Sequence, residues 1–586
     1  MMLLSDQLRA CHDHLRAQCA ALPAPYPAYA LFFSVTDGTR RAHVEFASGP
    51  DLATAWATGV DKLQGWMGGQ PLPATWLRVD WVEGARAVSW DRLVDQLAVT
   101  KRGYFRFGIA FDEGFEQAFT EQELNANAML YGGAQTEHAV VNTNNFRAYA
   151  RLRFGAKVTM QLPPSGLAYL LATRGVFCGE DGIAHPLCGI GLNAGRRDVA
   201  SLDADTVYDL VDRSASYLAR QVKDDGLFVY GHFPCFDRPI PTYNTLRHAS
   251  SLYAMIEAWE LTRDQALRSA IERSVTQLTR HLVRIYQLPS GRDAAFLVDT
   301  GDEIKLGGNA VCLLALVKYC EVMDTRQWLP LLDQLAEGIV WMQDLPTGRF
   351  NHVLNAQDLS LKQASRIIYY DGEAAFGLMR LYGLTRNPRW LAAVERAFGH
   401  FILAEHWRAH DHWLSYCVNE LTRWRPEERY FRFGLKNVVD HLDFVLERKT
   451  TFPTLLELML AANQMIARIQ QMPAMHGLLD ELDMPKFEQA LEHRANYLLN
   501  GFFWPEMAMY FKNPLSIENS FFIRHQSFRV RIDDVEHYLS GFVGYHKLLK
   551  SRIAQSACES ITMPEPEPPT APCEARTTTI SKAVAA

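Results

Sequence analysis

Twelve helical segments of two kinds alternate strictly over the C-terminal two-thirds of this chain. That order constrains the fold more than any other feature of its 586 residues. One kind is amphipathic with a charged outer stripe: 206–222, 265–281, 328–341, 389–402, 435–446 and 487–499. The other is apolar or rich in small residues: 246–261, 309–322, 373–384, 412–421, 454–466 and 535–548. A helix that is apolar all round must be buried on all sides, and one with a charged stripe must face water. Six buried helices inside six half-buried ones predict a mainly α (α/α)6 toroid rather than an open solenoid or irregular bundle. A weak repeat supports the pairing. The segments beginning at Leu252, Cys312 and Phe376 start about 60 residues apart, and each is an apolar helix, a short turn at Asp or Asn and an amphipathic helix.

On this pattern, residues 205–550 resemble the six-hairpin glycosidase-like superfamily, in architecture and not through a short motif. The resemblance implies a carbohydrate-active protein with a hydrolase, epimerase or lyase activity. It also implies a ligand seated where the inner helices begin.

Ahead of the ring, residues 1–22 read as a helix and 23–160 as a small α/β domain. Its strands are expected at 29–35, 41–46, 76–82 and 104–111, and its helices at 52–66, 90–97 and 116–128. Residues 161–204 read as an irregular Gly-rich bridge, and 551–586, rich in Pro, Thr, Ala and Glu, as a disordered tail. Glu121, Glu123 and Asn125 are expected on a solvated helix face. No catalytic constellation stands out in this domain, which could hold a protein partner, hold the far end of a substrate, or buttress the ring.

The net charge of −7 and the lack of a basic domain argue against nucleic acid as a partner. Ten scattered cysteines without CxxC pairs suit reduced thiols and no structural zinc. No stretch is long and apolar enough for a membrane span, and 1–22 lacks the apolar core of a signal peptide. The expected setting is therefore the cytoplasm, in polysaccharide biosynthesis or recycling. P-loop, dinucleotide and GxSxG signatures are missing, so no cofactor and no metal ion is expected.

The loops that feed the inner helices carry the chemistry. Glu373 opens an almost wholly apolar helix, where burial would raise its pKa and suit a general acid. Glycoside hydrolysis needs a second carboxylate; Asp302, Glu303, Glu420, Asp533 and Asp534 are the candidates, and Asp371 is either catalytic or a helix cap. Tyr243, Asn244, Arg247 and His248 form a second set, able to abstract a proton beside a sugar carboxylate. The bland alternative is that Asn244 caps a helix and His248 packs in the core. Substrate contacts are expected from Asn244, Arg247, Asp302, Lys305, His352, Arg366, Tyr370, His412, Trp413, Tyr416, Arg529 and Arg531. Arg529 and Arg531 either recognise an anionic group or pair with Asp533 and Asp534. A metal reading of His410 and His412 has no HExxH-like pattern behind it. Three functions follow: carboxylate-driven cleavage of an anionic glycan, epimerisation or elimination at a uronic acid through Tyr243, His248 and Arg247, or a non-catalytic sugar-binding scaffold.

Overall fold

The computed structural model describes residues 3–69, 75–158, 162, 166–189 and 191–562. The C-terminal part is a closed double ring. Its inner helices are α7 (Thr245–Thr262), α9 (Leu306–Val322), α11 (Tyr369–Thr385), α13 (His412–Trp424), α16 (Thr454–Gln470) and α20 (Ile532–Thr562). Each packs on the next, and α20 packs back on α7 to close the circle. Outside them lie α6 (Ala204–Gln221), α8 (Gln265–Gln277), α10 (Leu329–Trp341), α12 (Pro388–Leu403), α14 (Glu428–Lys436) and α17 (Met484–Tyr497).

The reason for closure is visible in α9. Every residue from Leu306 to Cys320 is buried, so the helix needs partners on all sides. Its one buried lysine, Lys318, reaches Glu260 on α7 at 2.8 Å. The repeat noted in the sequence sets the hairpin turns. Arg263 and Arg386 both adopt left-handed conformations (φ 57° and 60°) that end α7 and α11, and Asp264 and Asn387 then cap α8 and α12.

Two ring segments differ from expectation. The segment 435–446 is not one helix: α14 ends at Lys436, and a short α15 (Leu442–Glu447) follows a 3-10 turn. Asn437 is the cause, because its side chain is drawn inward to bond both backbone groups of Asp411. The last inner helix runs on to Thr562, so the first dozen residues assigned to a disordered tail are helical. The remainder of that tail, 563–586, lies outside the described residues.

The N-terminal part is a seven-stranded sheet of order β2-β1-β3-β6-β4-β5 with β7 on β6. Its strands are β1 (Tyr29–Thr36), β2 (His43–Gly49), β3 (Trp76–Ser89), β4 (Gly108–Ala110), β5 (Ala118–Phe119), β6 (Leu167–Cys178) and β7 (Ala184–Leu187). The stretch read as an irregular bridge therefore supplies β6, a central strand paired with β3 over twelve positions. One face of the sheet (Leu31, Phe33, Val79, Trp81) packs under α1 (Leu4–Arg16) and α2 (Leu52–Met67). The other face (Phe32, Phe46, Trp76) joins the core of the ring. A smaller cluster forms around α3 (Trp90–Ala98), α4 (Glu121–Ala126) and α5 (Thr143–Phe154).

Glu121, Glu123 and Asn125 are buried, not solvated. Glu123 closes a capping box with Thr120 and accepts from Tyr149 (2.9 Å) and Arg153 (3.1 Å), and Glu121 pairs with Arg106 at 2.9 Å. Smaller ribbons edge the ring: β8 (Gly231–Phe233), β9 (Arg238–Pro239) and, further on, β15 (Val530–Arg531) form one; β10 (Val283–Gln287), β11 (Asp293–Asp299), β12 (Glu303–Lys305), β13 (Val353–Asn355) and β14 (Leu361–Gln363) form another. Between α17 and α20 stand two one-turn helices, α18 (Pro505–Ala508) and α19 (Pro514–Ile517). Among the described residues, no helix is long and apolar enough to cross a membrane.

The sheet also braces the loop before α20. Arg102 donates to the carbonyl of His525 at 2.7 Å. Gly103, at φ 77°, lies so close to Arg524 that a Cβ would sit 2.9 Å from its carbonyl oxygen.

Candidate functional site

Where the inner helices begin, the ring encloses a cavity of about 460 Å³, within the range of ~300–1,000 Å³ usual for small-molecule sites. Its wall draws on five of the six inner helices or the loops that feed them: Asn244 and Arg247 of α7, Tyr369, Tyr370 and Glu373 of α11, Trp413 of α13, Thr454 of α16, and Asp533, Asp534, Glu536 and His537 of α20. The loops before α16 and α20 add Arg448, Phe452, His525, Gln526, Arg529 and Arg531. The sixth inner helix contributes space. A Cβ built on Gly307 of α9 would collide with Glu373 Oε2 and the Tyr370 ring.

Glu373 is a buried carboxyl of this wall. It is 4% exposed, and its Oε2 has no hydrogen-bond partner. Burial, reinforced by the Asp411 and Asp371 carboxylates, pushes its pKa up to about 8. It therefore holds a proton at neutral pH in a wall lined by Tyr370 and Trp413. Because Gly307 makes the room for this carboxyl, Gly307→Ala is expected to keep the fold but lower kcat by about a hundredfold, the usual cost of displacing a reacting group by ~1 Å. Steady-state kinetics beside a circular-dichroism spectrum checks this.

Three arginines in the wall are already engaged by two aspartates. Arg247 donates to Asp533 (2.7 Å) and to the Tyr230 hydroxyl (2.6 Å). Arg529 grips Asp534 through two bonds of 2.8 and 2.6 Å, and Arg531 grips Asp533 in the same manner. The pairing account of this loop is thus the one observed. Burial works against the Asp533 charge, but Arg531 and Arg247 outweigh it and hold the carboxyl below the usual range. Burial outweighs Arg529 at Asp534 and raises it.

Behind Trp413, three residues far apart in sequence meet. His537 Nδ1 lies 2.9 Å from Glu457 Oε2, and its Nε2 lies 3.5 Å from Glu536. Burial disfavours the imidazolium, yet the Glu536 and Glu457 carboxylates prevail and raise His537 to about 10. His412 faces His537 with ring centroids 5.2 Å apart. Its Nδ1 is 3.1 Å from Asp411, and its buried Nε2 has no partner. Ligand atoms of His412, Glu457 and His537 lie within 4.8 Å of one another, so these three could hold a metal ion. His410, by contrast, turns away and stacks on His441 at 4.2 Å. Tyr416 backs this group, with its hydroxyl 3.3 Å from Glu457.

Several expected site residues lie elsewhere. His248 is wholly buried between Tyr243 (2.8 Å) and Ser274 (3.0 Å), and burial lowers it to about 4. Tyr243 also receives the Phe228 amide at 3.1 Å. Neither lines the cavity, so the Tyr243–His248 route to proton abstraction has no access to substrate. Tyr243→Phe should cost about 1 kcal/mol of stability, the worth of an ordinary hydrogen bond, and leave kcat unchanged. Urea unfolding and kinetics on the same preparation test this pair of outcomes.

Asn244 caps α7 through the Arg247 amide while facing the cavity. His352 accepts the Arg366 amide at Nδ1 (2.8 Å), so its proton sits on Nε2 and is donated to Asp371 at 3.1 Å. That dyad ties the loop before α11 to its first turn. Arg366 is taken by Glu303, which it and Lys362 hold at about 2. Lys305 is tied to Asp299, which in turn accepts from the Thr245 amide at 2.9 Å. Asp302 sits in an exposed turn opposite Arg284. Glu420, two turns beyond the cavity on α13, pairs with Arg423. Glu457, Glu536 and Arg448 were not among the expected site residues, although Arg448 and Glu536 lie in the loops expected at the rim. Glu536 alone carried a local signal, as the third of four acids or imidazoles in Asp533-Asp534-Val535-Glu536-His537.

A second cleft of about 500 Å³ lies on the sheet side, among Arg40, Arg41, His43, Trp66 and Tyr149. The toroid cavity differs in holding a buried carboxyl raised to near neutrality.

No family model matches the chain, and no curated protein matches it. Solved structures that resemble it include a D-mannose isomerase (11% identity, 60% of this chain and 100% of that one, TM-score 0.45). Others are the cellobiose 2-epimerase from Bacillus thermoamylovorans B4167 (11%, 59% and 100%, 0.43) and an unsaturated glucuronyl hydrolase specific for heparin (10%, 59% and 98%, 0.42). By the closure of its own ring, this chain has the (α/α)6 toroid architecture of six-hairpin glycosidase-like proteins.

Proposed function

We propose that this chain is a carbohydrate-active enzyme that works on an anionic glycan by general acid–base chemistry. The observation that carries the reading is Glu373, a protonated carboxyl in the wall of the toroid cavity with one oxygen unpartnered. It gives its proton to the departing glycosidic oxygen while a water molecule bonds to the anomeric carbon and releases a proton to solvent. Asp533, kept ionised by Arg247 and Arg531, is the second carboxylate of the wall. Trp413 and the two tyrosines offer flat faces for sugar rings.

One observation favours a second reading, proton transfer at a sugar carbon without cleavage. His537, which lines the cavity, is held as an imidazolium by Glu536 and Glu457, with the His412 ring 5.2 Å away behind Trp413, so an acid stands in the wall with a second imidazole next to it. One experiment separates the two. Uronate-bearing and sulfated oligosaccharides are incubated with the protein in deuterium oxide, and reducing ends and carbon-bound deuterium are followed. New reducing ends support cleavage, and deuterium without cleavage supports epimerisation. Intact, unlabelled glycans across the panel would falsify both.

A further inference from the structure

The cavity wall is electrically lopsided. Arg247, Arg529 and Arg531 each hold a carboxylate, Asp533 or Asp534. Arg448, on the loop before α16, is not. Its Nε donates to Thr450 Oγ1 at 2.8 Å, and its guanidinium lies over the rings of Phe444 and Phe452 at 5.0 and 5.2 Å. Among the described residues it meets no carboxylate, and both of its terminal amino groups remain available. The aromatic rings fix the guanidinium plane without neutralising it.

Its neighbours in the wall point the same way. His525 and Gln526 each present a buried polar atom, Nδ1 and Oε1, that has no partner in the protein. Burial, with Lys101, Arg102, Arg448 and Arg529 around it, lowers His525 to about 4, so the imidazole is neutral. A neutral ring and an amide oxygen suit sugar hydroxyls, whereas the planar fork of Arg448 suits an oxyanion. The protonated carboxyl of Glu373 belongs to α11, on a different part of the wall.

We propose that Arg448 is the anion-binding residue of the cavity, receiving a uronate carboxylate or an O-sulfate, with His525 and Gln526 holding hydroxyls of the same sugar unit. This rests on the carbohydrate reading above, and it moves the anion site from Arg529 and Arg531, which are occupied, to Arg448. The substrate then lies across the cavity with its charged unit at the α16 side and its reacting bond toward Glu373.

The test is a glycan array in which uronate-bearing and O-sulfated oligosaccharides each stand beside their neutral counterparts, probed with the full chain, Arg448→Gln and Arg448→Lys. The wild type is expected to prefer the acidic member of a pair at least tenfold. Arg448→Gln should lose that preference while binding the neutral member as before, which also shows that its fold is intact. Arg448→Lys should keep part of it, since an ammonium retains charge without the fork. Whether carboxylate or sulfate pairs respond identifies the anion. A wild type without acidic preference, or an Arg448→Gln that keeps it, overturns the proposal. Acidic preference without turnover would leave the Arg448 assignment standing and remove the enzymatic one; turnover of neutral glycans alone would do the reverse.

Discussion

Glu373→Gln is expected to lower kcat by about two to four orders of magnitude, the range for losing a positioned general acid, while glycan binding changes little. The pH profile gives the sharper readout. With its pKa near 8, Glu373 donates below that value, so the wild-type rate should fall as pH rises through about 8. In Glu373→Gln the residual rate should lack that alkaline limb. Stability moves in the opposite sense. The unfolded carboxyl ionises near 4.5 and the folded one near 8, so the folded state binds more protons in that window and loses stability as pH rises across it. Glutamine has no charge to desolvate. Glu373→Gln should therefore melt higher than wild type at pH 8, with at most about 5 kcal/mol to regain, and much less so at pH 4.5. Melting scans at the two pH values check this, and an equal Tm difference at both would remove the desolvated acid from the mechanism.

Asp80→Ala should be the most destabilising single change in the sheet domain, by about 3–5 kcal/mol. Arg78, 1% exposed, holds Asp80 through two bonds of 2.8 and 2.7 Å and donates to the carbonyls of Gly195 (3.0 Å) and Glu506 (2.8 Å). Tyr510 covers the guanidinium at 5.5 Å. This cluster joins the sheet to the segment between α17 and α20. Without Asp80 the guanidinium stays buried and loses its counter-charge. The double variant Arg78→Met with Asp80→Val should recover part of the loss, because it removes both charges and nearly keeps the volume. Denaturant midpoints of the single and double variants decide this, and a double variant as unstable as the single would mean that packing, not charge, sets the cost.

The ring was legible because burial on all sides leaves a local trace. α9 is apolar at nearly every position, and Thr-Arg-Asp and Thr-Arg-Asn mark two hairpin turns whose arginines end the helices left-handed. β6 was hidden for the converse reason. Helices cover one sheet face and the ring the other, so Leu167–Cys178 shows no alternation to read. Glu121 and Glu123 looked solvated because Arg106, Tyr149 and Arg153, which satisfy them, arrive from other elements.

The same division runs through the site. A lone carboxyl at the head of an apolar helix marked Glu373 from sequence, since a charge there has no local compensation. Helix rotation then separated Arg247, which faces the cavity, from His248 one position later, which faces Ser274 of α8. The meeting of His412, Glu457 and His537 had no local sequence signal, being made by three consecutive inner helices, α13, α16 and α20, whose mutual rotation is set only by their packing. The sequence by itself determined the six-hairpin order and the buried acid, because hydrophobic periodicity and desolvation act within one helix. Which polar groups share the cavity, which arginines are already paired and which one is left was decided only by the tertiary structure, because charge compensation depends on distances between elements that the chain order does not set.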